Sequence, residues 1–307
     1  MDKDVISLVE VSKEFTLGLF RKKTAVESLS LSVPKGGIVG LLGPNGSGKS
    51  TTLKMILGFL TPTRGEIFIE GVSAADRNAR KNIGYLPENP RFQKFLTGEQ
   101  ILTYYGRLLQ IEAKALKQRI PHLLARVGLG HAGRERVQGY SKGMTQRLAI
   151  AQALLNQPSL LIFDEPMSGL DPLGRMEIRQ LIRGIREDFP QSTIFFSTHI
   201  LADAEELCEH VAVLRKGKLH THCPIGELLR SDRESYCVVT PDNVRLPDGL
   251  TALPAASGFH INLQGTDRLV ALLEELKRQG AKVISVDTRR RKLEEALFAD
   301  NPQEVPA

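Results

Sequence analysis

Eight consecutive residues, Gly43-Pro44-Asn45-Gly46-Ser47-Gly48-Lys49-Ser50, fit the pattern G-x-x-x-x-G-K-[ST] at every fixed position. The glycines let backbone N–H groups turn inward around an anion, because no Cβ stands in the way. Lys49 supplies a mobile cation for the β- and γ-phosphates of a nucleotide, and Ser50 offers a hydroxyl to Mg²⁺. Thr51 continues into an apolar helix whose positive dipole end faces the same loop. This spacing points to binding of a nucleoside polyphosphate; the plain alternative is a Gly-rich structural turn. Further along, Leu160-Leu161-Ile162-Phe163 leads into Asp164-Glu165. One carboxylate at such a strand end can hold Mg²⁺ through water, and the other can act on a water nucleophile. Surface charge is the ordinary reading of such a pair, and the phosphate loop upstream weighs against it. His199 follows the apolar run Thr193–Ser197 and is either a γ-phosphate contact or a structural histidine. No N-K-x-D base-recognition motif occurs, which argues against a GTPase.

Several elements are needed to hold these groups. Val5–Val11, Leu29–Val33 and Ile38–Leu42 read as strands, and Gly65–Glu70 alternates as a half-buried strand does. The strand Ile38–Leu42 delivers the phosphate loop, and the helix Thr51–Leu57 leaves it. Thr97-Gly98-Glu99-Gln100 forms a capping box that opens a helical segment running to about Val127. A helical pattern resumes at Ser141 and ends at Pro158. Ser159–Phe163 and Thr193–Ser197 are apolar runs typical of buried strands. Beyond about residue 217 the texture changes. Gly217, Pro224, Gly226 and the polar stretch 230–235 read as a linker. A strand through Phe259, Ile261 and Leu263 follows, then a helix with Leu269, Leu272, Leu273 and Leu276 on one face, stopped by Gly280. Lys282–Val286 reads as a strand and Leu293–Phe298 as a last helix. The expected plan is one domain over residues 1–220 and a linker with a small α+β domain over 221–307.

Composition narrows the class. The 307 residues are 41% apolar and 25% charged, an ordinary globular balance that excludes disordered, collagenous and disulfide-framework proteins. The net charge is +6 and the pI about 9.2, with the basic excess confined to residues 1–220. A phosphate-bearing ligand, an anionic membrane surface, nucleic acid or a simple solvated face would each suit it. The run Arg21-Lys22-Lys23 reads as a surface loop. No stretch approaches the roughly 18 apolar residues of a membrane span, and Met1-Asp2-Lys3-Asp4 lacks a signal-peptide core. Cys208, Cys223 and Cys237 form no CxxC pair, which fits a reducing cytoplasm.

Taken together, the motifs resemble those of the ATP-binding cassette (ABC) ATPases over roughly residues 5–220. Gly43–Ser50 matches the Walker A loop, Leu160–Asp164 the Walker B strand, Glu165 the catalytic glutamate and His199 the switch histidine. Ser168-Gly169-Leu170-Asp171 matches the D-loop. Tyr140-Ser141-Lys142-Gly143-Met144 stands where the family's LSGGQ signature belongs, 92 residues after Lys49 and 23 before Asp164. Ser141 would cap a helix whose N-terminal dipole suits a γ-phosphate. Two motifs depart from the family. Lys142 and Met144 replace the signature's first Gly and its Gln, and Glu88 stands at the Q-loop. A carboxylate can accept from a metal-bound water but cannot donate as an amide does; Glu88 remains a candidate Mg²⁺ contact. Both departures, and the ending Ser285-Val286-Asp287 to Leu293–Phe298, resemble ABC-2 type cassettes, which serve exporters. The adenine-stacking aromatic of the family corresponds to Phe15, with Phe20 the competitor because Thr16–Lys23 resembles an insertion, and a structural aromatic is the plain alternative.

The resemblance implies an α/β P-loop NTPase core, a helical subdomain over about 90–140 that meets a membrane partner, and the small C-terminal α+β domain. It implies an ATP-binding and ATP-hydrolysing subunit using ATP and Mg²⁺, with Ser50, Asp164 and Glu88 toward the metal. Phe15, Ser141, Gly143 and Asp171 join the loop as ATP contacts, Ser141 acting across a dimer of cassettes. The implied partners are an integral membrane permease and a second ABC ATPase subunit, with no nucleic acid. The implied location is the cytoplasmic face of the inner or plasma membrane. Two rivals remain from other classes: a soluble regulatory or nucleic-acid-maintenance ATPase, and a general P-loop phosphotransferase.

Overall fold

The computed structural model describes residues 4–18, 21–229, 235–242, 244–247, 249–255, 258–288 and 293. It divides into two compact units, Met1–Ile225 and Gly226–Ala307. The first contains β1 (Asp4–Leu17), β2 (Arg21–Pro34), β3 (Ile38–Leu42), α1 (Lys49–Ile56), β4 (Arg64–Ile69), β5 (Val72–Ser73) and β6 (Ile83–Leu86). It continues with α2 (Gly98–Leu108), α3 (Ala113–Arg126), α4 (Lys142–Leu154), β7 (Leu160–Asp164), α5 (Pro172–Asp188), β8 (Thr193–Thr198), α6 (Leu201–Leu207), β9 (His210–Arg215) and β10 (Lys218–Pro224). A single helical turn, α7 (Ile225–Leu228), follows.

Two sheets build this unit. One is antiparallel in the order β2-β1-β4-β5. The other runs β10-β9-β3-β8-β7-β6, parallel from β9 to β6 with β10 antiparallel at its edge. Every residue of β3, β7 and β8 is buried. That explains why these strands read as unbroken apolar runs: a parallel strand covered on both faces has no polar side to alternate with. Leu53, Met55 and Ile56 of α1 enter one core with Val5, Leu29 and Ile67 of the antiparallel sheet and with Leu41, Ile162 and Phe195 of the parallel sheet. Burying each such side chain contributes roughly 1.5–3 kcal/mol, so the helix leaving the phosphate loop is fixed between two sheets.

Several elements differ from the sequence expectation. The run Arg21-Lys22-Lys23 is not a loop: β1 and β2 stay paired through Phe15↔Lys23, Thr16↔Lys22 and Leu17↔Arg21, so the basic run lies in a strand. The helical segment from Thr97 is two helices. Gln110 takes φ 59°, a left-handed turn that no helix can pass through, and the chain restarts at Ala113. Helix α4 stops at Leu154, ahead of Pro158, with Gln157 at φ 49°.

The second unit holds β11 (Ser235–Thr240), β12 (Ala252–Ala255), β13 (Gly258–Gln264), α8 (Thr266–Arg278) and β14 (Ser285–Thr288), with sheet order β12-β13-β11-β14, all antiparallel. Leu272 and Leu276 of α8 pack on Val238, Ile261 and Leu263. The last strand starts at Ser285 rather than Lys282, because the Lys282 amide donates to the Asp242 carboxylate (2.9 Å) instead of a strand neighbour. Of the expected helix Leu293–Phe298 all but Leu293 lies outside the described residues, as does most of the polar stretch 230–235.

Candidate functional site

The phosphate loop sits at the carboxyl end of β3, flanked by the ends of β8 and β9, where open parallel sheets leave a crevice. Its shape depends on glycine at two points. Gly43 has φ 154°, and a Cβ there would stand 2.3 Å from the Leu214 carbonyl oxygen. Gly48 has φ 109°, with a Cβ 2.7 Å from the Ala25 oxygen. Gly48 is also the N-cap of α1 and supplies no side-chain acceptor. The first-turn N–H groups of α1 therefore have no side-chain cap, the arrangement that suits an anion. Behind the loop, the Ser47 hydroxyl is buried without a hydrogen-bond partner.

The carboxylates arrive from β7. In the β7–β8 ladder Asp164 is the register partner of Ser197. The Ser197 hydroxyl donates to Asp164 Oδ1 (2.7 Å) and accepts from the Glu165 amide (3.0 Å). From the other side the Ser50 hydroxyl donates to the same Asp164 oxygen (3.2 Å). Lys49 Nζ donates to the carbonyls of Gly43 (2.7 Å) and Pro44 (3.3 Å) and lies 3.3 Å from Glu165 Oε1. The second Glu165 oxygen is 2.9 Å from His199 Nδ1. Lys49, Asp164 and Glu165 are 5%, 4% and 8% exposed, so these charges face one another with little water between. Glu165 has φ 48°, a strained backbone for a non-glycine residue. It is held there by its carbonyl, which accepts from the Ser168 amide (3.0 Å), and by the buried Gln146 amide, which donates to the Pro166 carbonyl (2.8 Å).

Lys49, Ser50, Glu165, Ser168 and His199 face a cleft of about 690 Å³, within the range of small-molecule sites. Phe15, Asn45, Gly46, Gly48, Ser50, Thr51 and Glu88 line it with Lys49, Glu165 and His199. Phe15 carries the Lys13 ammonium 5.4 Å from its ring centroid, and that ammonium is anchored on the Thr61 carbonyl (2.7 Å). Phe20 lies outside the described residues. Burial and the nearby Asp164 and Glu88 carboxylates push the Tyr85 phenol up to about 12, so it stays protonated beside the site.

Ser50 and Asp164 offer hydroxyl and carboxylate oxygens to one point, a donor set that fits Mg²⁺. Among the described residues there is no cluster of three or more His, Cys, Asp or Glu able to hold a metal.

Of the expected contacts, Gly43, Pro44, Ser47 and Asp164 belong to the loop and its bonded carboxylates without lining the cleft themselves, and three stand elsewhere. Ser141, Gly143 and Asp171 do not line the cleft. Ser141 is the exposed N-cap of α4, accepting from the Met144 amide (3.1 Å), and Asp171 the exposed N-cap of α5, accepting from the Gly174 amide (3.1 Å). Tyr140 fixes the entry to α4 by donating to the Ala132 carbonyl (2.7 Å). Two functional positions escaped the sequence reading: Ser197, which joins Asp164 to Glu165, and Gln146, which braces the following turn. The available signals were a polar residue closing an apolar strand and an amide on the buried face of a helix.

The family profile described as ABC transporter matches residues 26–168. An ABC transporter ATP-binding protein of Synechocystis sp. is 38% identical, the alignment covering 95% of this chain and 83% of the relative. The Nod factor export ATP-binding protein I of Neorhizobium galegae is 39% identical over 67% of this chain and 59% of its own. A dimeric ATP-binding cassette solved in a post-hydrolysis state with ADP and Pi is 25% identical with a TM-score of 0.65, covering 72% of this chain and 98% of that one.

Proposed function

Since the chain belongs to the ABC transporter ATP-binding proteins, and is by that membership an ATP hydrolase subunit, we propose that the cleft over the phosphate loop is its ATPase site and that it drives export through a separate membrane permease. The observation that carries the first part is the convergence of Lys49, Ser50, Asp164, Glu165 and His199 at the ends of β3, β7 and β8.

In this reading the loop amides and Lys49 hold the β- and γ-phosphates, and Phe15 stacks on the base. Ser50, Asp164 and Glu88 hold Mg²⁺, which when bound neutralises phosphate charge as the terminal group departs. Glu165 polarises the attacking water. Its two oxygens are oriented by Lys49 and His199. The water's oxygen bonds to the γ-phosphorus as the β–γ bridging bond breaks, and Glu165 takes up the proton.

Ser141, Gly143 and Asp171 serve the cleft of a second copy, so that two chains close on ATP as a homodimer. Export rests on the likeness to the Nod factor export protein and on Lys142, Met144 and Glu88. No helix among the described residues is long and apolar enough to cross a membrane, so the pore belongs to the permease. The chain then lies on the cytoplasmic membrane face, without nucleic acid as a partner. The small C-terminal α+β domain follows residues 1–220, with the helical subdomain over about 90–140 toward the permease. The test is isolation of the chain from its native membranes in mild detergent. One polytopic protein should accompany it in fixed ratio and stimulate its ATPase. A chain that never associates with a membrane protein removes the transport reading.

A further inference from the structure

The run Arg21-Lys22-Lys23, expected to be a surface loop, lies in β2. Within this strand the two lysines part company. Lys22 lies 3.5 Å from the Glu14 carboxylate, whereas Lys23 lines the cleft. Lys23 is the register partner of Phe15, and Thr24 and Ala25 carry the cleft wall onward. Among the described residues no carboxylate stands within ion-pair distance of Lys23.

The charge balance of the cleft gives this position meaning. Lys49 is already shared with Glu165 at 3.3 Å, and Glu88 adds a second carboxylate to the wall. Without Lys23 the fixed charges there would be net negative, a poor surface for a polyanion. The flat apolar surface for a base is Phe15, and Lys49 stands at the outer-phosphate end. A cation in register with Phe15 therefore falls beside the ribose and the first phosphate.

We propose that Lys23 is a nucleotide-binding residue that engages the α-phosphate end of the polyphosphate chain. This rests on the reading of the cleft as the nucleotide site. Its contribution is common to ATP and ADP, because both carry that phosphate.

The test is calorimetric titration of the full chain with MgATP and with ADP. Lys23→Met should weaken both by about fivefold, the size of an exposed charge contact. Lys23→Arg should restore affinity to within about twofold, and Lys22→Met, which removes a charge that faces Glu14 and does not line the cleft, should change nothing. Unchanged affinity in Lys23→Met, an equal loss in Lys22→Met, or a loss confined to ATP would each overturn the assignment. Lys49→Ala in the same titration separates the two levels. If it binds ATP normally, the cleft is not the nucleotide site. If it loses ATP while Lys23→Met does not, only the role of Lys23 falls.

Discussion

The groups around the phosphate loop and those at the start of α4 and α5 are built in opposite ways. Around the loop, Lys49, Asp164 and Glu165 are almost fully buried; Lys49 pairs with Glu165, Ser197 bonds both Asp164 and Glu165, and Ser50 and His199 each bond one carboxylate. At the other region, Ser141 and Asp171 are exposed, and the side-chain bond of each caps its own helix. The first arrangement has its polar groups bonded within one chain and costs desolvation that only mutual pairing offsets. The second has its polar groups turned outward. A surface that caps helices and faces solvent suits a second body, and in this account that body is another copy's nucleotide.

The contrast breaks most visibly at Glu165. Glu165→Gln keeps the shape and loses the basicity, so turnover should fall by about a thousandfold, within the usual range for a general base. ATP should still bind, and light scattering should find an ATP-bound dimer. Hydrolysis at the original rate would remove Glu165 from catalysis. Ser197→Ala comes next. It strips Asp164 of a donor and leaves the Glu165 amide unpaired in a dry site, a loss of about 1–3 kcal/mol in denaturant stability. ATP turnover should drop by about tenfold.

Glu88→Gln is milder. Glu88 is exposed at the cleft rim, and ATPase activity should stay within about tenfold; complete loss would mean that the carboxylate itself is required. The smallest effect belongs to Ser47. Its hydroxyl is buried with no partner, so Ser47→Ala sheds an unrewarded desolvation and should leave stability unchanged or raise it by up to about 1 kcal/mol. A clear fall in the urea midpoint would show that the hydroxyl is bonded after all.

Legibility in the sequence followed the same divide. Motifs that depend on backbone shape, Gly43–Ser50 above all, were readable because only glycine and a few donors meet the geometry. Fully buried strands such as β7 and β8 were readable from unbroken apolar runs. What escaped depends on contacts between distant segments. Ser197 matters because β8 sets it opposite Asp164 across a parallel ladder, 33 residues away. The pairing of Thr16 and Leu17 with Lys22 and Arg21 was missed because exposed polar strand residues have no apolar alternation. The break at Gln110 was missed because a single left-handed residue leaves no mark in helical periodicity.

The central claim is that each cleft is completed by the α4 start of another copy, and complementation between two inactive variants tests it most directly. Lys49→Met disables the loop side. Gly143→Asp disables the other side gently. Gly143 has no left-handed φ, its Cβ would meet nothing closer than the Ser141 hydroxyl at 3.9 Å, and an acid in a first helical turn is favoured by the dipole. Yet its carboxylate would repel a phosphate. Each variant alone should be inactive, whereas a mixed dimer holds one intact site, so an equal mixture should recover about a quarter of the unmutated ATPase rate if two-fold dimers form at random. A mixture no more active than its two components would contradict the account and return Gly143 and Ser141 to a role within their own chain.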